Sequence, residues 1–364
     1  MTLNDYSSIA ELTAGIDPCD TRYRVEAQRH LDDLTKPLGS LGRLETIAAQ
    51  IYTIFQGKLP QPLRRGAFVF AADHGVTDEG VSAYPREVTT QMVRNFLAGG
   101  AAINVLARLH NADLTVVDVG VDADFEAEFK NAPALDRAKV RRGSRNMHRE
   151  PAMTDDELTA ALDVGTRLAD EARKKRLHLL AVGEMGIGNT TAASAIAAVL
   201  TGEPVDAVTG RGTGLDTAGR ERKIKIVEQS LARHFGAASG APAPIEILRR
   251  VGGLEIAAMT GFILGAAANR MAVICDGFIS TAAAAIAYAI APHVSGYLFA
   301  GHCSQEPGHI HLLRYIGVTP ILNLDMRLGE GTGAVLAMPV IESAVRLFSE
   351  MATFSSAGVS TKSE

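Results

Sequence analysis

The chain reads as an α/β protein, a Rossmann-like, doubly wound parallel sheet of about six strands with a second, smaller helical domain. Three observations predict this. Six short apolar runs between residues 67 and 324 are continuous rather than alternating, as in strands buried on both faces. Ala-rich or amphipathic stretches of helical length separate most of them. The two ends of the chain carry helical patterns and no convincing strand.

Residues 1–60 read as helices. Residues 21–34 place apolar side chains between charges at irregular helical spacing. Lys36-Pro37-Leu38-Gly39-Ser40 breaks that pattern and puts Ser40 where an N-cap belongs for a helix over 41–55. Strands are expected at 67–72 (AFVFAA), 114–119 (LTVVDV), 177–182 (LHLLAV), 272–275 (AVIC), 297–300 (YLFA) and 320–324 (PILNL). Helices are expected at 89–108, 155–174, 191–200 and 281–291, and the gap from 201 to 271 leaves room for two more. A last amphipathic helix covers 338–354, and 355–364 reads as a frayed tail. The expected division is a catalytic domain over 61–340 and a small helical domain from 1–60 with 341–364.

Composition narrows the function classes. With 364 residues and 47% hydrophobic content, the chain can build one large domain plus a smaller piece. A net charge of -5 gives no basic field for nucleic acid or an anionic membrane. Aromatics are 5% with no Trp, against a stacking platform for bases. Cys19, Cys275 and Cys303 are too few and too scattered for a disulfide framework, so a reducing cytoplasm is expected. The start, MTLNDYSSIAEL, lacks the basic and apolar regions of a secretory signal. Residues 254–294 are the most apolar, but Asn269, Arg270 and Asp276 cut them short of the roughly 20 apolar residues of a membrane span.

In an open α/β sheet, ligands bind at the carboxyl ends of the strands. Nearly every expected strand here ends in acid, imidazole or glycine: Asp73-His74-Gly75, Gly120-Val121-Asp122, Gly183-Glu184, Asp276-Gly277, Gly301-His302, and Asp325 leading to Gly329-Glu330-Gly331-Thr332-Gly333. Glycines around Glu330 permit positive φ and close approach of a ligand. Burial there would raise the glutamate from its reference of about 4.3 toward working pH and make it a general base. The alternative is a tight turn with Glu330 facing water. The loop from Gly183 through Glu184, Gly186, Gly188, Asn189 and Thr190 to Thr191 follows a strand and opens a helix, the setting in which free N–H groups bind a phosphate. It lacks the lysine of a Walker A loop and does not fit GxGxxG, so a mononucleotide phosphate suits it best. A second glycine loop, Gly210-Arg211-Gly212-Thr213-Gly214, precedes Lys223, which either completes a phosphate clamp or belongs to a solvated charge run. The segment 301–311 holds His302, His309 and His311 with Cys303; no second ligand pair stands at zinc spacing, and we read it as substrate-lining, with Ser304 as a hydroxyl donor. If extended, it would point His309 and His311 the same way. Ser82, Tyr84 and Gln91 are candidates for the wall of an apolar ring pocket, or else ordinary loop and capping residues.

KPLGSLGRLE (36–45), AADHGV (71–76), GVSAYP (80–85), GEMGIGNTT (183–191), GRGTG (210–214), GHCSQEPGH (301–309) and LDMRLGEGTGA (324–334) follow one another along the chain. Together they resemble the family of nicotinate-nucleotide:dimethylbenzimidazole phosphoribosyltransferases over about 36–340. The resemblance implies transfer of the phosphoribosyl group of nicotinate mononucleotide to dimethylbenzimidazole, giving α-ribazole phosphate and nicotinate. It implies no metal or organic cofactor, a homodimer, and a large Rossmann-like domain beside a small helical one. The family's catalytic glutamate falls on Glu330. Its phosphate loop falls on Gly186, Gly188, Asn189 and Thr190, and further substrate positions on Glu184 and Lys223. Gly212, Gly214, Ser82, Tyr84, Gln91 and Ser304 lie in the matching pocket segments. Two other readings stay open: a metal-dependent hydrolase of a phosphorylated small molecule built on His302, His309 and His311, and a non-catalytic nucleotide-binding protein.

Overall fold

A computed structural model of the chain describes residues 7–125, 128–130, 132–236 and 240–360. Its centre is a sheet of seven strands: β1 (Arg65–Ala72), β2 (Ala112–Gly120), β3 (Leu135–Arg137), β4 (Leu179–Met185), β5 (Ala272–Cys275), β6 (Leu298–His302) and β7 (Pro320–Leu322). They lie in the order β3-β2-β1-β4-β5-β6-β7, every neighbouring pair parallel. The order reverses at β1 and β4, the switch point beyond whose strand ends ligands bind in open α/β sheets. The central strands are buried along their length, which is why they read as unbroken apolar runs. Strand β3 is the one that the sequence hid: its three residues include Asp136 and Arg137 and pair only with the edge of β2.

The helices are α1 (Ser7–Ala14), α2 (Thr21–Asp33), α3 (Arg43–Ile54), α4 (Glu87–Ala98), α5 (Ala102–Leu109), α6 (Asp155–Lys174), α7 (Asn189–Thr201), α8 (Val205–Val208), α9 (Thr217–Phe235), α10 (Pro244–Val251), α11 (Leu254–Ala268), α12 (Phe278–Ile290), α13 (Gly308–Ile316), α14 (Thr332–Glu350) and α15 (Phe354–Ala357). Helix α11 is apolar apart from Glu255 and Thr260 and is buried from Leu254 to Ala267. A Cβ on Gly165 of α6 would come within 2.9 Å of the α11 backbone at Gly261, so these helices meet backbone to backbone.

Several expected elements are corrected. The stretch 89–108 is two helices, α4 and α5, because Gly99 takes φ +80° as a C-cap. Four helices, α8 to α11, fill the gap where two were expected. Ser40 is no N-cap: α3 begins after Gly42 at φ +56°, and Glu45 instead accepts the Leu41 N–H at 3.0 Å and pairs with buried Lys36 at 2.9 Å. Residues 309 and 311 lie on α13 rather than on an extended segment. Helix α14 starts six residues before the expected 338 and carries Pro339 inside it. Residues 361–364 of the expected tail fall outside the described residues, and α15 occupies part of the rest.

The N-terminal helices meet the end of α14. The His30 ring Nε2 lies 2.7 Å from the Phe348 carbonyl, the Tyr52 and Phe348 rings sit 5.2 Å apart, and the Thr35 N–H donates to Ala352 O at 3.0 Å. Helix α14 has the length and hydropathy of a bilayer span, yet its first half packs against β4, β5 and β6 and serves as a core helix.

Candidate functional site

The first turn of α14 is seated on three adjacent strand ends. Strand pairing matches Val182, Cys275 and Ala300, so the row just beyond is Gly183, Asp276 and Gly301. A Cβ on Gly183 would lie 2.5 Å from the Glu330 carbonyl carbon, and one on Gly301 2.8 Å from Ala334 N. Bare glycines thus let the Glu330 loop approach the sheet. Asp276 between them accepts the N–H groups of Gly331 at 2.9 Å, Gly333 at 2.6 Å and Ala334 at 3.1 Å. These are orphan donors of the helix start, and a carboxylate is their strongest partner.

Glu330 sits in the left-handed region at φ +64°, between Gly329 at +83° and Gly331 at +86°. A glutamate there costs on the order of 1–3 kcal/mol of strain, which points to function. Its side chain is buried, and Oε2 has no partner among the described residues. Burial and the charge of Asp276 push it up to about 7. The turn facing water is therefore overturned.

Across the loop stands Glu184 at the end of β4, close enough that a Cβ on Gly329 would meet its Oε1 at 2.5 Å. Burial pushes Glu184 up to about 8, with Glu255, Asp276 and Glu330 adding and the Asn189 side-chain hydrogen bond opposing. Asn189 opens α7, preceded by Gly188 at φ +97°. Gly186 lies against the exit of β1, since a Cβ there would crowd Ala72 O and the His74 ring. The amides of Gly188 and Thr190 have no acceptor among the described residues, leaving them free for an anion at the positive end of α7.

Thr190 continues the wall. Its Oγ1 accepts from the Lys223 ammonium at 2.8 Å, and Lys223 is fully buried on α9. Burial pushes the ammonium down to about 8, Glu306 opposing and Arg220 adding. A solvated charge run is thus excluded for this residue. Gly212, at φ +53°, packs against both Thr190 and Lys223, and its N–H donates to Glu306 Oε1 at 3.0 Å. Gly214, at φ +114°, has open space where a side chain would be. Ser82 Oγ lies 3.4 Å from Thr213 Oγ1 and accepts the Tyr84 N–H at 3.1 Å, so that loop leans on the second glycine loop. Tyr84 is 54% exposed, and Gln91 is also exposed on α4.

Ser304 is held by its neighbours. Its N–H donates to His309 Nδ1 at 2.9 Å, so the His309 proton sits on Nε2 and donates to Thr281 Oγ1, also at 2.9 Å. Burial pushes His309 down to about 3, which keeps it neutral. His311 pairs instead with Glu203 at 3.1 Å. The three histidines expected of a hydrolase therefore do not converge on one point, and the described residues contain no cluster of His, Cys, Asp or Glu suited to a metal.

The sequence missed Thr89, whose Oγ1 accepts the Ile187 N–H at 3.0 Å and steadies the 186–190 loop from α4. Nothing in its neighbourhood marks it. It gave Glu306 no role, and it named Asp276 only as one of the polar strand exits, not as the cap of the Glu330 loop.

The site has close parallels. A phosphoribosyltransferase family profile matches residues 16–359. The nicotinate-nucleotide–dimethylbenzimidazole phosphoribosyltransferase of Geobacter sulfurreducens is 52% identical over 351 residues, 96% of this chain and 98% of that one. The enzyme of the same name from Chlorobaculum tepidum is 51% identical over 355 residues, 97% of this chain and 98% of that one. The crystal structure of CobT from Thermus thermophilus superposes with a TM-score of 0.88 at 46% identity, covering 94% of this chain and all of that one. The chain belongs to the nicotinate-nucleotide–dimethylbenzimidazole phosphoribosyltransferase family.

Proposed function

We propose that this protein moves the phosphoribosyl group of nicotinate mononucleotide to dimethylbenzimidazole, forming α-ribazole phosphate and nicotinate, with Glu330 as general base. The observation that carries this is Glu330 itself: a buried, unpaired carboxyl held near pH 7 in a backbone conformation that costs energy.

The ring N–H of the base donates to Glu330, which fixes the tautomer and turns the other ring nitrogen toward the anomeric carbon. That nitrogen forms the new C–N bond as the bond to nicotinate breaks. The departing electron pair neutralises the pyridinium, so the leaving group needs no acid. Positive charge grows on the incoming ring, and its N–H proton passes to Glu330, a step worth about 10²- to 10⁴-fold. Attack opposite the leaving group inverts the anomeric centre. The Gly188 and Thr190 amides with Lys223 grip the phosphate and fix the sugar against the ring. Glu184 and Asn189 line the space between, Gly186, Gly212 and Gly214 admit the backbone closely, and Ser82, Tyr84, Gln91 and Ser304 border the ring pocket.

The same reading takes the protein as a cytoplasmic homodimer without metal or organic cofactor, with no nucleic-acid or membrane partner. It takes 1–60 with 341–364 as the small helical domain, supported by the contacts of His30, Thr35 and Tyr52 with the end of α14 and the residues after it. Glu330→Gln is the direct test. We expect turnover to fall by about 10²-fold or more while nicotinate mononucleotide still binds; a variant with near-normal kcat refutes the base assignment.

A further inference from the structure

Asp276 has no counterpart in the mechanism above, yet it accepts hydrogen bonds from Gly331, Gly333 and Ala334 just after Glu330. It is 2% exposed at the end of β5, between the bare glycines of β4 and β6. The Gly331 N–H on its Oδ2 belongs to the peptide bond that begins at the Glu330 carbonyl, so this hydrogen bond fixes the ψ of Glu330. The Gly333 and Ala334 N–H groups on Oδ1 lock the turn that follows. His302 lies behind, with Nε2 3.7 Å from Oδ1 and neither ring nitrogen hydrogen-bonded among the described residues.

We infer that Asp276 is a positioning residue for phosphoribosyl transfer: its carboxylate, braced by His302, clamps the start of α14 and holds Glu330 in the left-handed backbone that aims it into the crevice. On the loop itself the Thr332 N–H and Oγ1 donate to the Gly329 carbonyl at 3.1 and 2.7 Å and close the turn around Glu330, while the flanking glycines add freedom rather than constraint; the Asp276 bonds tie that turn to the sheet. The same anion makes Glu330 a stronger base, since a like charge nearby disfavours ionisation. Burial pushes the Asp276 carboxyl up from its ordinary value, and His302 and the amides on both of its oxygens oppose this by favouring the charged form. The other charged or titratable groups facing this pair are Glu184 from β4, which Glu255 of α11 also raises, and Cys275 beside Asp276, a thiol pushed up to about 12 by burial and the Asp276 charge.

This inference rests on Glu330 being the base, and the test separates the two. The experiment measures pH profiles of kcat and kcat/KM, with nicotinate mononucleotide and dimethylbenzimidazole as substrates, for wild type, Asp276→Asn, Glu330→Gln and the double variant. Asn at 276 keeps one acceptor, turns an NH₂ toward the Gly331 N–H and removes the charge. We expect kcat to fall about 10²-fold, as for a base displaced by an ångström, with KM for the mononucleotide nearly unchanged. The acidic limb should move down by about one pH unit, and the double variant should be no slower than Glu330→Gln alone. An unmoved acidic limb, or losses that multiply in the double variant, overturns the inference while leaving the base in place. Near-normal kcat in Glu330→Gln removes the base and this inference with it. Should Asp276→Asn not fold, Asp276→Ser, whose hydroxyl still caps one amide, must show the same downward shift or the inference fails.

Discussion

Gly183→Ala places one methyl group where the sheet and the Glu330 loop touch. The added Cβ would stand 2.5 Å from the Glu330 carbonyl carbon and from the Gly331 Cα, and nearer still to Gly331 N. Carbon atoms settle at about 3.5–4.0 Å, so the Glu330 backbone must retreat by about 1 Å. The atoms in the way are all backbone, and no rotamer change can relieve them. Overpacking of this kind costs about 1–3 kcal/mol of stability, which a fold of this size survives. The functional cost is larger in proportion, because a base misplaced by about 1 Å loses on the order of 10²-fold in rate. Steady-state kinetics should show that loss in kcat, with KM for nicotinate mononucleotide changed far less, since the Thr190 and Lys223 cradle sits beyond the methyl. Thermal unfolding in parallel confirms that the variant is folded. If kcat stays within threefold of wild type while the melting temperature falls, the seat of the Glu330 loop on β4 does not set the chemistry and this reasoning fails.

Activity should peak in a narrow window between pH 7 and 8: Glu330 must lose its proton, which it does above about 7, and Lys223 must keep its own, which it does below about 8; a plateau extending past pH 9 would exclude Lys223 as the phosphate's cation. Lys223→Met should raise KM for nicotinate mononucleotide more than it lowers kcat. In the wild type the folded ammonium titrates at about 8 against 10.5 for the free group, so the unfolded chain binds more protons between these values. Stability must therefore rise with pH across that interval, and chemical denaturation of the Met variant should lose the rise. Since His309 and His311 are engaged with Thr281, Ser304 and Glu203, overnight dialysis against a chelator should leave kcat unchanged; a loss restored by zinc would revive the hydrolase reading.

What could be read from the residues, and what could not, divides along physical lines. Strands β1, β2, β4, β5 and β6 announced themselves because burial on both faces demands continuous apolar runs, while β3 carries Asp136 and Arg137 at a sheet edge and leaves no such trace. Helix α14 was expected to begin at 338 because its first turn, Thr332 to Val335, looks like loop; its true start depends on a cap from Asp276, 55 residues earlier. Glu330 and the 186–190 loop were visible as glycine-framed polar groups at strand exits. The approach of Glu184 to the Glu330 loop, the Thr89 bond to Ile187 and the Glu306 bond to Gly212 were not, since each partner comes from a different element.

The order of apolar runs and glycine-rich exits thus determined that this chain is a parallel α/β sheet whose polar strand exits gather along one edge. Only the tertiary structure decided that Glu330 is buried rather than wet, that Lys223 is desolvated, and that Asp276 caps the helix that follows Glu330. The physical reason is that protonation and strain arise from charges and packing contributed by distant segments, and spacing along a chain carries no record of which segments will meet.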